Sequence, residues 1–237
     1  MTPPLTNRIA LITGASRGIG AATGIELARL GAHVVLIGRT QGGLEETDDT
    51  IRAAGGQATL LPMDLRKPES LDPVGPSLLQ RFGRLDILVH NAGALGKLTP
   101  VGHIVPKDID ECVAVNFSAA YRLIRTCGPL LAASDAGRAV FVTSRAAREP
   151  QAYWGAYAAT KAAMETLVRT WADETEGTAL RVNLFDSGRT ATRMRATAFP
   201  GEDPRTLPTP AARAAVLALL CLPTEARHGT IVRADAG

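Results

Sequence analysis

Short apolar segments alternate along the chain with longer segments in which apolar residues recur at helical spacing. The short segments predict β-strands at residues 8–13, 33–38, 58–65, 85–90, 139–144, 180–185 and 229–235. The longer segments predict helices at about residues 21–32, 43–56, 68–82, 108–127, 156–172 and 210–222. This alternation predicts an α/β fold, a doubly wound parallel sheet of about seven strands with helices on both faces. Because no linker interrupts it, residues 1–237 are expected to form one domain.

Two segments fit the alternation less well. Pro73, Gly75 and Pro76 fall inside the predicted helix at residues 68–82 and weaken its first half. Residues 186–210 are rich in Pro, Gly, Arg and Thr and are typical of a mobile loop. Ligands of doubly wound sheets bind at the carboxyl ends of the strands, where this loop begins. We therefore expect residues 187–210 to cover a substrate like a lid.

Composition and charge exclude several functions. The net charge is +3 and the 26 Lys and Arg are spread along the chain, so nucleic acid is not an expected partner. Cys112, Cys127 and Cys221 are widely spaced, which predicts free thiols in a reducing compartment and no metal site. The start lacks the features of a signal peptide, and the longest apolar run, residues 214–222, is far shorter than the ~20 residues that span a bilayer. We expect a cytoplasmic protein without membrane association.

A glycine-rich turn follows the first predicted strand. The sequence TGASRGIG places Gly14, Gly18 and Gly20 between that strand and the next helix. Glycine lets the backbone approach a pyrophosphate, and the helix N-terminus offers it free N–H groups. A dinucleotide is the expected ligand, and a plain glycine turn is the alternative.

The end of the second strand predicts which dinucleotide binds. NAD sites usually place a carboxylate about 20 residues beyond the glycines, to hold the ribose 2′-hydroxyl. Here the strand ends at Arg39, with no carboxylate before Glu45. Arg39, helped by Arg17, suits the 2′-phosphate of NADP, so NADP(H) is expected and NAD is less favoured. In the alternative, Arg39 is a solvated loop charge.

Further polar residues stand near the ends of later strands or in helices. Asp64 suits an adenine amino group or a helix N-cap. The run Asn91-Ala92-Gly93 allows close approach to a ribose, and Ser144 is placed to hydrogen-bond a substrate oxygen. Asn116 lies within a predicted helix at a cost in helix propensity, and an exposed polar position is its plain alternative.

The predicted helix at residues 156–172 carries Tyr157 and Lys161, four residues apart. On an α-helix their Cβ atoms lie roughly 5–6 Å apart on one face. A phenol titrates near pH ~10, and a nearby cation favours its phenolate, which would give a general acid/base near neutral pH. A packed ring beside a solvated ammonium is the alternative.

In this order and spacing, TGASRGIG, the Asn91 run, Asn116, Ser144 and YAATK at residues 157–161 resemble the short-chain dehydrogenase/reductase family over essentially the whole chain. The resemblance implies a single Rossmann domain, NAD(P) as hydride carrier and no metal. It implies that Tyr157 is the general acid/base and that Lys161 lowers its pKa and holds the nicotinamide ribose. It also implies that Ser144 polarises the substrate carbonyl and that Asn116 anchors a water linking Lys161 to solvent.

The same resemblance implies a set of cofactor contacts. They are Gly14, Ser16, Arg17, Gly18, Ile19, Gly20, Arg39, Asp64, Leu65, Asn91, Ala92, Gly93, Tyr157, Lys161, Gly188, Thr190 and Thr192. Two positions depart from the family pattern, since His90 replaces a frequent second Asn and Ser187 replaces a proline. Proline would stiffen the turn beside the nicotinamide. Ser187 is therefore expected to alter cofactor affinity or nicotinamide placement.

The implied activity is NADP(H)-dependent interconversion of a carbonyl and a secondary alcohol on a small-molecule substrate. A 3-oxoacyl thioester reductase is the leading candidate, because Arg189, Arg193 and Arg195 are suited to an acidic carrier protein. The alternative is a nucleotide-binding regulatory or scaffold protein that has lost catalysis, with Ser187 as a sign of decay.

The resemblance further implies a homodimer or homotetramer packed through the helices that bear Asn116 and Tyr157. Alanines and Trp171 of the Tyr157 helix could supply that contact. A buried face within the chain explains them equally.

Overall fold

The structure, a computed structural model, describes residues 2–234. Its strands form one parallel seven-stranded sheet in the order β3-β2-β1-β4-β5-β6-β7. They are β1 (Ile9–Thr13), β2 (His33–Gly38), β3 (Gln57–Pro62), β4 (Ile87–His90), β5 (Arg138–Thr143), β6 (Arg181–Asp186) and β7 (Ile231–Arg233). The arrangement confirms the predicted α/β fold. Asp235, the last residue of the predicted seventh strand, lies outside the described residues.

Helices cover both faces of the sheet. They are α1 (Gly18–Arg29), α2 (Gln41–Ala53), α3 (Val74–Phe82), α4 (Pro106–Cys112), α5 (Ala119–Ala133), α6 (Gly155–Glu174), α7 (Arg193–Ala198) and α8 (Pro210–Leu219). Apolar residues of α1, α2 and α8 pack on one face, and those of α3, α5 and α6 pack on the other. The central strands are buried on both faces, which explains their continuous apolar sequences.

The strand order places a crevice at the carboxyl ends of the central strands β1 and β4. β1 pairs with β2 on one side and with β4 on the other, so the chain leaves the sheet in opposite directions at this point. Ligands of doubly wound folds bind at such a switch point. The register sets Thr13 beside His90 and Thr143 beside Asp186, which brings the carboxyl ends of these strands level.

The third strand and the helix after it differ from prediction. β3 ends at Pro62 rather than at residue 65. The predicted helix at residues 68–82 divides into a 3₁₀ turn, Pro68–Leu71, and α3. Gly75 approaches α5 so closely that a Cβ would lie 2.0 Å from the carbonyl oxygen of Thr126. The glycine that weakened the helix prediction is therefore required by packing.

The predicted helix at residues 108–127 is not uniform. It consists of α4, a π-helical turn at Val113–Ser118, and α5. A π turn holds an extra residue, which changes the direction of the side chains within it. Asn116 lies in this turn and is completely buried, so the exposed alternative for this residue is wrong.

The segment at residues 186–210 is not a structureless loop. It contains α7 and a 3₁₀ turn at Pro204–Thr206. Arg195 of α7 binds both carboxylate oxygens of Glu202, at 2.5 and 2.8 Å, and Leu207 is buried. The ion pair joins α7 to the chain that follows it, so the segment contains regular structure where the sequence predicted a loop.

Three further findings bear on the expectations for subunit contacts, thiols and membrane association. Trp171 of α6 packs edge-on against Phe141 of β5 with ring centres 6.2 Å apart, so it belongs to the chain's own core. Cys112, Cys127 and Cys221 are buried and form no disulfide. No helix within residues 2–234 is long and apolar enough to cross a bilayer.

Candidate active site

A groove of about 1210 Å³ runs along the carboxyl ends of the strands. Most residues predicted to act or bind a cofactor line it, namely Gly14, Ser16, Arg17, Gly18, Ile19, Arg39, Asp64, Leu65, Asn91, Ala92, Gly93, Ser144, Tyr157, Lys161, Gly188, Thr190 and Thr192. Gly20 and Asn116 lie behind its wall, next to Gly14 and Ala94 respectively.

The glycine turn closes tightly between β1 and α1. Gly14 and Gly18 have φ values of +67° and +59°, which favour glycine. A Cβ on Gly20 would lie 2.3 Å from the carbonyl oxygen of Gly14. The helix begins at Gly18 without a side-chain cap, so its first N–H groups remain available for an anion.

Two arginines stand at this end of the groove. Arg17 and Arg39 are exposed and line it, and neither forms an ion pair with any residue in the described range 2–234. Asp64, in contrast, is bound by the guanidinium of Arg66 at 2.6 Å. That contact holds the pKa of Asp64 below its usual value. Asp64 is not a helix N-cap, because the following 3₁₀ turn has Lys67 at that position.

His90 joins the ends of β1 and β4. The hydroxyl of Thr13 accepts hydrogen bonds from the backbone N–H groups of Asn91 and Ala92, at 3.2 and 3.1 Å. Its proton is then directed to Nδ1 of His90, 3.0 Å away. Burial, with a smaller contribution from the nearby charge of Lys161, lowers the pKa of His90 to about 3. His90 is therefore a neutral part of the framework rather than an acid or base of the site.

Asn116 fastens the loop after β4 to α6. Its Oδ1 accepts from the N–H of Ala94 at 2.8 Å, and its Nδ2 donates to the carbonyl of Ala94 and to the hydroxyl of Thr160, both at 2.9 Å. The sequence did not indicate Thr160. The observed contacts make Asn116 a structural link between the groove wall and the helix that carries Tyr157.

Tyr157 and Lys161 lie on α6 beside Ser144. Burial raises the pKa of Tyr157 to about 12, and a hydrogen bond with Ser144 acts in the opposite direction. Burial also lowers the pKa of Lys161 to about 8. The alternative of a solvated ammonium beside a packed ring is excluded, because Lys161 is only 2% exposed. Burial thus acts on the Tyr157 pKa in the direction opposite to the lowering expected from the sequence, and its effect is the larger.

An ion bridge lies next to this pair, and sequence reasoning missed it. Arg148 contacts Glu165 of α6 through one terminal nitrogen and Asp186, at the end of β6, through the other. Thr143 also donates to Glu165, at 2.6 Å. Glu165 stands one helical turn after Lys161, and that spacing was the available signal.

The turn after β6 forms the wall opposite the glycine turn. Gly188 has φ +61° and donates its N–H to Oδ1 of Asp186 at 3.2 Å. The hydroxyl of Thr190 donates to the carbonyl of Ser187 at 3.2 Å. Thr192 caps α7 by accepting from the N–H of Arg195. The turn is thus closed by its own side chains, with Gly188 in a conformation that other residues rarely adopt.

Aromatic rings border the groove beside the Tyr157 hydroxyl. The Trp154 ring lies 5.7 Å from the Tyr157 ring and 5.8 Å from the Phe199 ring. Arg195 covers the Phe199 ring at 3.6 Å. Sequence reasoning did not single out Trp154 or Phe199. The groove therefore offers a buried proton donor next to an apolar wall, and basic groups with a helix N-terminus at the other end.

Known proteins share this sequence and fold. Residues 8–203 match the family profile described as short chain dehydrogenase. The uncharacterised oxidoreductase YciK of Escherichia coli strain K12 is 40% identical over 210 residues, which cover 87% of this chain and 83% of that protein.

Solved structures agree with the sequence comparisons. A short chain dehydrogenase from Pseudomonas syringae matches with a TM-score of 0.94 and 38% identity, over 99% of this chain and 97% of that one. A short chain dehydrogenase from Shigella flexneri 2a strain 301, solved in complex with NADP, matches with a TM-score of 0.94 and 36% identity, over 99% of this chain and 100% of that one. With more than half of its length matched by the family profile, the chain belongs to the short chain dehydrogenase family.

Proposed function

We propose that this chain is an NADP(H)-dependent oxidoreductase that interconverts a carbonyl and a secondary alcohol. The observation that carries the proposal is the buried Tyr157, which lines the same groove as Ser144, while the far end of that groove presents two arginines without ion pairs among the described residues. A proton donor and a dinucleotide cradle in one groove are what carbonyl reduction needs.

The residues of the groove fit NADP. The glycine turn packs so closely against Asn91 and Ala92 that neither Gly14 nor Gly20 has space for a Cβ, and the uncapped N-terminus of α1 that this turn presents suits a pyrophosphate. Arg17 and Arg39 would hold the 2′-phosphate. Lys161 would hold the nicotinamide ribose. The NADP in the Shigella flexneri structure supports this choice over NAD.

The acid-base residues then act in a defined order. NADPH, when bound, supplies the hydride that reduces the carbonyl carbon. The hydroxyl of Tyr157 keeps its proton at neutral pH, because its pKa is raised to about 12, and gives it to the carbonyl oxygen as the alcohol forms. Ser144 donates a hydrogen bond to the same oxygen. In the reverse direction Tyr157 takes the alcohol proton, so the raised pKa favours reduction at neutral pH.

The substrate side supports a carbonyl compound with an apolar or aromatic body, because Trp154 and Phe199 border the groove near Tyr157. A 3-oxoacyl thioester remains our first candidate within this class. The basic rim that favours it is smaller than the sequence suggested, since Arg189 and Arg195 both pair with Glu202. Arg193 is exposed and forms no ion pair within the described part of the chain.

The test is NADPH oxidation with a panel of ketones, quinones and 3-oxoacyl thioesters. We expect turnover with at least one compound, and a fall of at least about 100-fold in kcat for Tyr157→Phe with NADPH binding retained. Tyr153→Phe is the matched control, because Tyr153 is 57% exposed and does not line the groove. Full turnover in Tyr157→Phe would contradict the proposal. Tight NADPH binding without turnover on any compound would favour the regulatory or scaffold alternative.

We also propose a homodimer or homotetramer in the cytoplasm. The segment that bears Asn116 exposes Val113 and Tyr121, at 38% and 48%, which supports it as a contact surface. Trp171 no longer supports the contact, because it packs inside the chain. Cysteines without disulfides are consistent with a reducing compartment. A monomer in light scattering at micromolar concentration would contradict the assembly.

A further inference from the structure

One guanidinium joins three segments of the candidate site. Arg148 lies four residues after Ser144, in the segment that follows β5. One terminal nitrogen contacts Glu165 on the helix that carries Tyr157, and the other contacts Asp186. The Ser144 segment, α6 and the end of β6 are therefore held by a single side chain.

The bridge continues into the turn that lines the groove. Oδ2 of Asp186 contacts Arg148, while Oδ1 accepts the N–H of Gly188 at 3.2 Å. Residue 187 is a serine, which leaves φ free where a proline would fix it, and Gly188 sits at φ +61°. The carboxylate of Asp186 thus ties this turn to Arg148, while Arg213 of α8 holds its other side through the carbonyl of Arg189 at 3.2 Å.

Such a bridge is a poor means of gaining stability. The side chains of Glu165 and Asp186 are only 9% and 7% exposed, so both carboxylates have lost most of their water. Well-packed apolar residues of similar size are often at least as stabilising as a buried ion pair. What the charged bridge adds is direction, because a planar guanidinium fixes two carboxylates at a set distance and angle.

We propose that Arg148 is a positioning residue, which holds the turn at residues 187–192 in register with the Tyr157 helix through the carboxylates of Asp186 and Glu165. The inference rests on the proposed function, because this turn would face the nicotinamide half of NADPH. The far half of the groove, at Arg17 and Arg39, does not contact the bridge. Loss of Arg148 should therefore affect one half of the cofactor only.

The test compares two ligands. NADPH carries both halves, whereas 2′,5′-ADP carries the adenosine and its 2′-phosphate without the nicotinamide. For Arg148→Met we expect the Kd of NADPH to rise about tenfold, because binding would then have to order about one residue of the released turn. The Kd of 2′,5′-ADP should stay unchanged. Arg148→Lys, which can reach one carboxylate at a time, should give an intermediate Kd for NADPH.

Arg8→Met is the matched control for general destabilisation. Arg8 also bridges two carboxylates, Asp86 at 3.1 Å and Asp135 at 2.5 Å, and its side chain is 16% exposed against 23% for Arg148. Arg8 directly precedes β1, at the amino ends of the strands, whereas the groove lies at their carboxyl ends. We expect Arg8→Met to lower the Tm and to leave the Kd of both ligands unchanged.

The outcomes separate the inference from the proposed function. Equal weakening of both ligands by Arg148→Met, no weakening, or selective loss of NADPH in Arg8→Met overturns the inference alone. If Arg148→Met does not fold, the same comparison is made with Arg148→Lys and Asp186→Asn, in which selective weakening of NADPH is again required. A wild-type protein that binds neither ligand overturns the proposed function, and the inference with it.

Discussion

The ammonium of Lys161 donates a 2.7 Å hydrogen bond to the backbone carbonyl of Val142 and lies 6.0 Å from the centre of the Tyr157 ring. Burial lowers the pKa of Lys161 to about 8 and raises that of Tyr157 to about 12. Both groups are therefore driven towards their neutral forms. Their spacing on the helix suggests an ammonium that stabilises a phenolate, but burial is the larger effect in this protein.

Lys161→Met is expected to weaken NADPH binding and to lower turnover together. Lys161 lines the groove beside Tyr157, where a hydrogen bond from a charged group contributes about 1.5–3 kcal/mol, or roughly tenfold to a hundredfold in Kd. Fluorescence titration with NADPH and steady-state kinetics measure the two effects. Lys107→Met is the control, because Lys107 is exposed on α4 and does not line the groove. An unchanged Kd of NADPH for Lys161→Met would show that Lys161 does not bind the cofactor.

The lowered pKa of Lys161 predicts that the free energy of unfolding depends on pH. Its pKa is about 8 in the folded protein and 10.5 when unperturbed, so between these values the unfolded chain binds more protons. The penalty for burying the charge is complete below pH 8 and is relieved as the pH rises to 10.5. Relative to Lys161→Met, the wild type should gain on the order of 1–3 kcal/mol across this window. Thermal unfolding of both proteins from pH 7.5 to 10.5 checks this, and a constant difference in Tm would contradict it.

Arg39→Glu should shift the cofactor preference from NADPH towards NADH. The substitution removes a donor to the 2′-phosphate and places a carboxylate where it repels that phosphate and suits a ribose hydroxyl. We expect the Kd of NADPH to rise by at least about tenfold while that of NADH falls or stays constant. Arg52→Glu has the same charge change on the neighbouring helix, where Arg52 is 68% exposed and outside the groove. Equal changes in the two Kd values for both substitutions would show that Arg39 acts only as a general surface charge and does not bind the 2′-phosphate.

Asn116→Ala should lower both stability and kcat. It leaves the partly buried N–H of Ala94 without its side-chain acceptor, at a cost of about 1–3 kcal/mol, and removes the amide donor to the Ala94 carbonyl, which then keeps only the thiol of Cys112 as a side-chain donor. It also releases the loop after β4 from α6. Asn183→Ala is the matched control, since Asn183 is equally buried and its amide binds Arg227 and Thr230 away from the groove. Similar losses of Tm with a fall in kcat only for Asn116→Ala support the link, whereas equal kcat values contradict it.

The sequence pattern predicts the sheet well because its cause is local. Each buried parallel strand is a short apolar run, and each connecting helix repeats apolar residues at its own period. The turn chemistry is equally local, since the glycines after β1 and the polar residues after β4 and β5 follow directly from the strand ends. These features account for the glycine turn, the Asn91 run and Ser144 among the residues that line the groove.

What the pattern misses depends on contacts between distant residues. The π turn around Asn116 is stabilised by hydrogen bonds to Ala94, 22 residues away in sequence. The Arg148 bridge joins residues 17 and 38 positions apart. Burial sets the pKa of Tyr157, and burial is known only once α6 is packed. Each of these three features is determined by tertiary packing, about which helical periodicity carries no information.

Gly20 offers the sharpest test of the turn itself. A Cβ there would lie 2.3 Å from the carbonyl oxygen of Gly14 and 2.4 Å from Nδ2 of Asn91, both of which are held by the ends of β1 and β4. Neither group can retreat without opening the turn, so Gly20→Ala should destabilise the protein by more than about 1–3 kcal/mol and weaken NADPH binding. Gly42→Ala is the matched control on α2, because a Cβ at Gly42 meets nothing within 4 Å and should add about 0.5–1 kcal/mol of stability. Thermal unfolding and NADPH titration of the two variants decide the matter, and a Gly20→Ala protein as stable as the wild type would show that the turn is not closed as described.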